Sequence, residues 1–288
     1  MKLLYQSKAM FRLIKTVMVA GTVWALLASI PAAEDKRHIL LQSTTSTLNS
    51  GLYDVLLPAF TQTSGIKVRV VAVGSGQALR NAENCDGDLV LAHAPENEKA
   101  FMAKGFGARR LELMQNRFVL LGPADDPAKI KDSVTVTAAL RAIAETEARF
   151  LSRGDDSGTH TRERRLWAEA GIDLTAASGS WYLEAGQGMG ASINLAVQLE
   201  AYLLSDISTW LAFGNKADHR LLYEDNSDSL LNRYSVLTVN PAHCPFVNYD
   251  EANLFADWLT LPEGQQRIAA FTVDGQQMFT PANHSGAQ

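Results

Sequence analysis

The chain has 288 residues, 47% hydrophobic and 20% charged, with 26 Lys and Arg against 31 Asp and Glu. That composition is globular, with room for one large domain or two ordinary lobes. The negative balance argues against nucleic-acid binding, which rests on a basic patch, and any anion bound here must be held by preorganised local donors.

Lys2, Lys8, Arg12 and Lys15 flank the charge-free run "TVMVAGTVWALLASI" (16–30), and "PAAED" (31–35) returns to small and polar residues. The segment reads as a cleaved signal peptide over residues 1–33. An uncleaved anchor is the alternative, although the run is short for a span of roughly 20 residues. No Cys follows the run, so lipid attachment is not expected, and without the four leader cations the balance becomes 22 to 31. Cys85 and Cys244 are the only cysteines. In an exported chain they point to one disulfide, with two buried thiols as the alternative.

From residue 38 strands and helices alternate. "HILLQS" (38–43) reads as a strand, 49–65 as a helix, "IKVRVVAVG" (66–74) as a strand, 76–84 as a helix, "GDLVLAHA" (87–94) as a strand, and "ENEKAFMAKG" as a helix. This order predicts an open, mostly parallel sheet covered by helices. "FVLLGP" (118–123) reads as a strand crossing into a second lobe, followed by a helix near 132–147 and a strand at 148–151. Residues 181–206 read as strand, glycine-rich loop, helix and strand; "YSVLTVNP" (234–241) is a return strand, and 248–271 form two helices divided at Leu261-Pro262-Glu263.

The loops leaving the strands carry the chemistry. "STTSTLNSG" follows "ILLQ", "GSGQ" follows "VRVVAV", and "SRGDDSGTH" (152–160) follows "ARFL". Each is rich in hydroxyl or glycine residues and opens a helix, so backbone N–H groups, hydroxyls and helix dipoles favour negative charge there. One such loop is an ordinary helix cap; three of the same character point to an anion site.

These motifs, "STTST" (43–47), "PAFTQTSGIKVRVVAVGSGQAL" (58–79), "DLVLAHAP" (88–95), "SRGDDSGTH" and "EAGQGMG" (184–190), with "LTVNP" (237–241) and "FADWLTLPEGQ" (255–265), resemble the tungstate-binding family of periplasmic ABC-importer receptors. The resemblance covers about residues 38–280; Cys85 and Ala185 depart from its pattern. It implies an α/β, two-lobed periplasmic-binding-protein fold, each lobe a mixed sheet flanked by helices, with crossing strands as hinge. Lobe I would be 38–118 plus 235–288, and lobe II 119–234. Thr45, Ser46 and Ser75 would donate to the ligand from the first lobe, and Arg153, Ser157, Gly158 and Thr159 from the second. Thr44, Thr47, His93, Arg117 and Gly188 are secondary candidates. The resemblance further implies a monomeric periplasmic receptor for tungstate or molybdate, without cofactor or metal, that serves an inner-membrane permease. Another tetrahedral oxyanion such as phosphate or sulfate, or a sensor of the same fold, is the alternative.

Tungstate, molybdate and sulfate are dianions that only accept hydrogen bonds, so their pocket needs donors. Arg153 offers a planar fork that grips two oxygens, which Lys cannot do, and Gly158 permits close backbone approach. Asp155 and Asp156 fit only if they point away from the ligand, one capping the helix and the other orienting Arg153. His93 reads as a core or supporting histidine, His160 as a helix-surface residue, and Arg117 as a partner for an acid near the crossover. A hydrolase built on Ser157 lacks a G-x-S-x-G elbow, and His160 is too close in sequence to serve as its base. A metal receptor is disfavoured because the six histidines have no tight ligand spacing.

Overall fold

The computed structural model describes residues 37–282; the leader read in residues 1–33 and the tail 283–288 lie outside it. The chain opens with β1 (His38–Thr44), α1 (Thr45–Asn49), α2 (Leu52–Ser64), β2 (Lys67–Val73), α3 (Ser75–Glu83), β3 (Leu89–Ala92) and α4 (Pro95–Ala103). β1 pairs in parallel with β2, His38 opposite Lys67, and with β3, Leu41 opposite Leu89. β4 (Gly107–Pro123) is much longer than the expected 118–123. After it come α5 (Val136–Glu145), β5 (Phe150–Ser152), α6 (Gly158–Glu169), β6 (Tyr182–Glu184), α7 (Met189–Leu199), β7 (Leu203–Asp206), α8 (Ile207–Ala212), β8 (His219–Tyr223) and β9 (Leu231–Val239). α9 (Tyr249–Thr260), α10 (Pro262–Ala270) and the short β10 (Thr272–Val273), β11 (Gln276–Gln277) and β12 (Thr280–Pro281) complete the described chain. Pro262 occupies the first turn of α10, where its missing N–H costs nothing, so the chain breaks between α9 and α10 where the sequence predicts.

The main sheet runs β12-β4-β9-β3-β1-β2, with β7 and β8 paired to the far half of β4. The expected mostly parallel sheet is corrected: within it only the pairings of β1 are parallel, and β3, β4, β7, β8, β9 and β12 join antiparallel. The cause is the crossover. β9 returns alongside β4 from Gly107 opposite Val239 to Arg117 opposite Leu231, and β4 then continues past β9 to pair with β7 and β8.

Strand alternation sorts the core onto opposite faces. Leu89 and Leu91 join one cluster with residues of α2 and α9, while Val90 and Ala92 join another with α3. Farther along, Phe118 and Leu120 pack with α5 and α6, and Val119 and Leu121 with α7. All four β3 residues are fully buried, as in a strand covered on both faces. Trp210 and Trp258 are buried and Trp181 packs on Trp167, as expected of packing residues. Among the described residues no helix is long and apolar enough to cross a membrane.

Cys85 and Cys244 form a disulfide across a sequence separation of 159 residues. A cross-link that closes so long a loop acts mainly by restricting the unfolded chain. Replacing both cysteines with serine lowers stability by about 2–5 kcal/mol, read as an earlier midpoint in urea unfolding. An unchanged midpoint would show that the cross-link contributes nothing to stability.

Candidate functional site

The short helix α1 starts directly at the end of β1. Thr44 caps it, its Oγ1 accepting from the Thr47 N–H at 3.3 Å and lying 2.9 Å from Thr47 Oγ1. Thr44 and Thr47, both secondary candidates, are thus engaged in shaping the turn. Thr45 faces the other half of the molecule: its Oγ1 accepts from Arg153 Nη2 and from the Met189 N–H, each at 3.4 Å. Ser46 is fully buried, and its Oγ has no partner among the described residues.

The turn between β2 and α3 needs its glycines for contact. A Cβ on Gly74 would lie 3.2 Å from the Asp155 carbonyl, and one on Gly76 only 2.7 Å from that of Asp156. Ser75 Oγ, fully buried, accepts from the His93 N–H at 3.5 Å. His93 is buried at the end of β3, stacked on Tyr234, with Nδ1 2.9 Å from Asn232 Oδ1. Asn232 Nδ2 donates to Asn116 Oδ1 and to Tyr234 OH, so its Oδ1 is the acceptor and His93 Nδ1 carries the proton. Burial lowers the imidazole pKa to about 4, opposed by Asp206 and reinforced by Arg153, so His93 is neutral at pH 7.

From the second half, β5 ends at Ser152 and leads into Arg153, whose side chain is 1% exposed. Its Nη2 donates to Asp155 Oδ2 and its Nε to the Gln187 carbonyl at 3.4 Å. Burial lowers the guanidinium's pKa, and the charge and hydrogen bond of Asp155 oppose that shift. Gly154 and Asp156 both take positive φ (60° and 54°), which reverses the chain before α6. Ser157 caps α6, its Oγ accepting from the His160 N–H at 3.1 Å. Thr159 is fully buried, and its Oγ1 has no partner among the described residues. Gly158 leaves no free space for a side chain: a Cβ there would lie 2.5 Å from the His93 carbonyl oxygen, so adding one forces a shift. Gly188, at the start of α7, would set a Cβ 3.0 Å from Thr45 Cγ2.

The structure therefore brings the loop containing Arg153, Ser157, Gly158 and Thr159 against those containing Thr45, Ser75, His93 and Gly188, from separate stretches of chain. The Arg117 guanidinium donates to the carbonyls of Asp225, Asn226 and Ser227 at 3.1–3.4 Å, and its charge acts on the Asp225 carboxylate. The aspartates differ from expectation. Asp155 both orients Arg153 and accepts from the Ser157 N–H at 3.2 Å, whereas Asp156 is exposed and the cap is Ser157 itself. His160 is half-buried, not on the surface; its Nδ1 accepts from the Asp156 N–H and its Nε2 is buried without a partner. With Ser157 Oγ engaged as a cap and His160 Nδ1 as an acceptor, no nucleophile–base pair exists between them.

The sequence reading missed a buried polar relay beneath these loops. Asp206 caps α8, accepting from Ser208 Oγ at 2.6 Å and from the N–H and hydroxyl of Thr209 at 2.9 and 2.8 Å. Asn116 Nδ2 donates to Ser208 Oγ at 3.1 Å, and Thr209 Oγ1 reaches the Ser46 carbonyl at 3.3 Å. "DIST" (206–209) is a legible cap signal, but nothing in its spacing ties it to Asn116, Asn232 or Ser46.

Comparisons with known proteins agree with this geometry. Residues 29–263 match the PBP superfamily domain. The chain is 39% identical over 257 residues to the tungstate-binding protein TupA of Peptoclostridium acidaminophilum, covering 88% of each chain. Among solved structures it resembles the tungstate ABC transporter protein from Geobacter sulfurreducens (44% identity, 81% of this chain and 98% of that one, TM-score 0.74). It also resembles the tungstate-binding protein TupA from Desulfovibrio alaskensis G20 (43% identity, 85% and 99% coverage, TM-score 0.71). The family match over residues 29–263 and these relatives show that the chain belongs to the PBP superfamily.

Proposed function

We propose that the chain captures tungstate, and molybdate alongside it, between two lobes (38–118 with 235–288, and 119–234) and delivers it to an inner-membrane ABC permease. The observation that carries this reading is the buried guanidinium of Arg153, held beside Thr45 while the buried hydroxyls of Ser46 and Thr159 remain without protein partners. Such hydroxyls cost free energy unless a ligand satisfies them. The named relatives supply the choice among oxyanions.

The chemistry of the site favours a fully deprotonated ion. Hydrogen phosphate keeps a proton at neutral pH and needs an acceptor for it. The carboxylate beside Arg153, Asp155, is already engaged by the guanidinium and by the Ser157 N–H. Charge-assisted hydrogen bonds from Arg153, hydroxyls and backbone N–H groups contribute roughly 1.5–3 kcal/mol each. Opening exposes the cleft and closing removes its water, with the crossing strands β4 and β9 as the hinge. The role is one of binding without catalysis or cofactor. A monomer suffices for it, and the leader in residues 1–33 delivers the chain to the periplasm.

Titration calorimetry of the mature chain tests the reading: tungstate and molybdate bind far more tightly than sulfate or phosphate. Arg153→Ala abolishes measurable binding, and Arg153→Lys, which keeps the charge without the fork, weakens it by about tenfold or more. Preferred phosphate binding would overturn the choice of ion, and no heat with any of the four would overturn oxyanion capture. Gly158→Ala forces its Cβ against the His93 carbonyl and weakens binding without unfolding the chain. Gly214→Ala, with nothing within 4 Å, leaves affinity unchanged. Equal affinities in these two variants would show that the close approach at Gly158 is not part of the bound state.

A further inference from the structure

Beneath the second half of the cleft lies a carboxyl group that no step of capture uses. Glu163, on α6, is 2% exposed and forms no ion pair within 4 Å among the described residues. Its Oε1 accepts from the Tyr182 hydroxyl at 2.7 Å, and hydrogen bonds from the Ser152 hydroxyl and the Arg153 backbone N–H also act on it. These partners have positional meaning. Ser152 and Arg153 end β5, Tyr182 opens β6, which leads to Gln187 and Gly188, and Glu163 sits five residues beyond Gly158 on the helix that Ser157 caps. One buried carboxyl therefore bonds α6 to β6 and lies beside the end of β5, the three segments that shape this half of the cleft.

We propose that Glu163 is a positioning residue that fixes the Arg153 loop and takes up a proton when the cleft captures its dianion. The proposal rests on the oxyanion reading above and deepens it. Glu163 and Arg153 interact electrostatically, so the guanidinium helps to hold the carboxylate ionised in the unliganded chain. A dianion on Arg153 cancels that help and adds two negative charges nearby, with little water between to screen them. Neutralisation by a proton from solvent is the remaining response. The charged and titratable groups acting on the carboxyl are Tyr182 from β6, Arg153 from the end of β5, and Arg164 from its own helix. Burial raises the Glu163 pKa to about 7 and the hydrogen bonds only partly offset this, so the group is half-ionised where a dianion would tip it. The sign follows from linkage: a group that binds a proton more tightly in the complex makes capture stronger as pH falls.

Calorimetry with sodium tungstate at pH 7, in buffers of different ionisation enthalpy, counts the protons exchanged. The expected result is uptake of up to about half a proton per ion at pH 7, with affinity falling by up to about tenfold between pH 6 and pH 8. Glu163→Gln keeps the hydrogen-bonded shape without the titration, so the uptake disappears and affinity becomes flat across that range. Tyr182→Phe removes a donor to the carboxylate, so the uptake persists with its midpoint moved to higher pH. A purely structural Glu163 would change affinity in both variants without changing the proton count. Tungstate binding with no proton uptake in the unmodified chain, or uptake that survives Glu163→Gln, would overturn the proposal alone. No tungstate binding at any pH would overturn the oxyanion reading and this proposal with it.

Discussion

A buried guanidinium must have acceptors in place before a ligand arrives, and the shape of the cleft follows from that requirement. Stripping water from Arg153 costs several kcal/mol, and the fold offsets it with Asp155, the Gln187 carbonyl and Thr45 Oγ1. These acceptors come from three separate segments, so satisfying one side chain draws the loops together. The tight reversal after Arg153 is part of the same solution. Positive φ at Gly154 and Asp156 lets Asp155 turn back onto the guanidinium while Ser157 begins α6. A left-handed non-glycine residue costs about 1–2 kcal/mol, tolerable because the loop around Asp156 is fixed on both sides.

The second support lies under the cleft, where the crossing strands meet. Asn116 on β4 and Asn232 on β9 stand opposite each other in register and share a hydrogen bond at 2.8 Å. From that pair the relay runs outward to His93 in one direction and through Ser208, Asp206 and Thr209 to the Ser46 carbonyl in the other. A buried hydrogen-bonded network favours one arrangement, since a shifted member strands a polar group without water. Two of the candidate site loops are thereby indexed to the strands that cross between the halves of the sheet.

Much of this was legible in the sequence because it is local. Hydroxyl and glycine residues after a strand are a helix-start signal, and the structure starts helices within "STTST", "GSG" and "SRGDDSG", the first of them a short turn ahead of the expected 49–65 helix. What was hidden depends on pairing at a distance. β4 begins at Gly107 because its charged first half is held by β9, a partner more than a hundred residues away. "RRLELMQNR" carries no strand signal strong enough to show this. The partners of Arg117 were hidden for a similar reason: the three carbonyls it meets belong to a turn distant in sequence. Glu163 lies in the polar run "TRERR" (161–165), and only the tertiary fold reveals that its face is the buried one.

If a net negative chain captures an anion as proposed, the placing of its own carboxylates matters. Three of them, Asp155, Asp206 and Glu163, act electrostatically on Arg153. If all were ionised, a dianion would enter a region where buried negative charge already exceeds positive. Two have strong compensation. Asp155 holds the guanidinium and a backbone N–H, and Asp206 accepts from two hydroxyls and the N–H that opens α8. Glu163 accepts from the Tyr182 phenol, and its burial outweighs that support and raises its pKa. Under the proposed capture of a dianion, a proton goes to the carboxylate whose ionised form burial disfavours. That group joins α6 to β6 beside the end of β5, so the residue proposed to give up its charge also lies where it can hold the Arg153 loop.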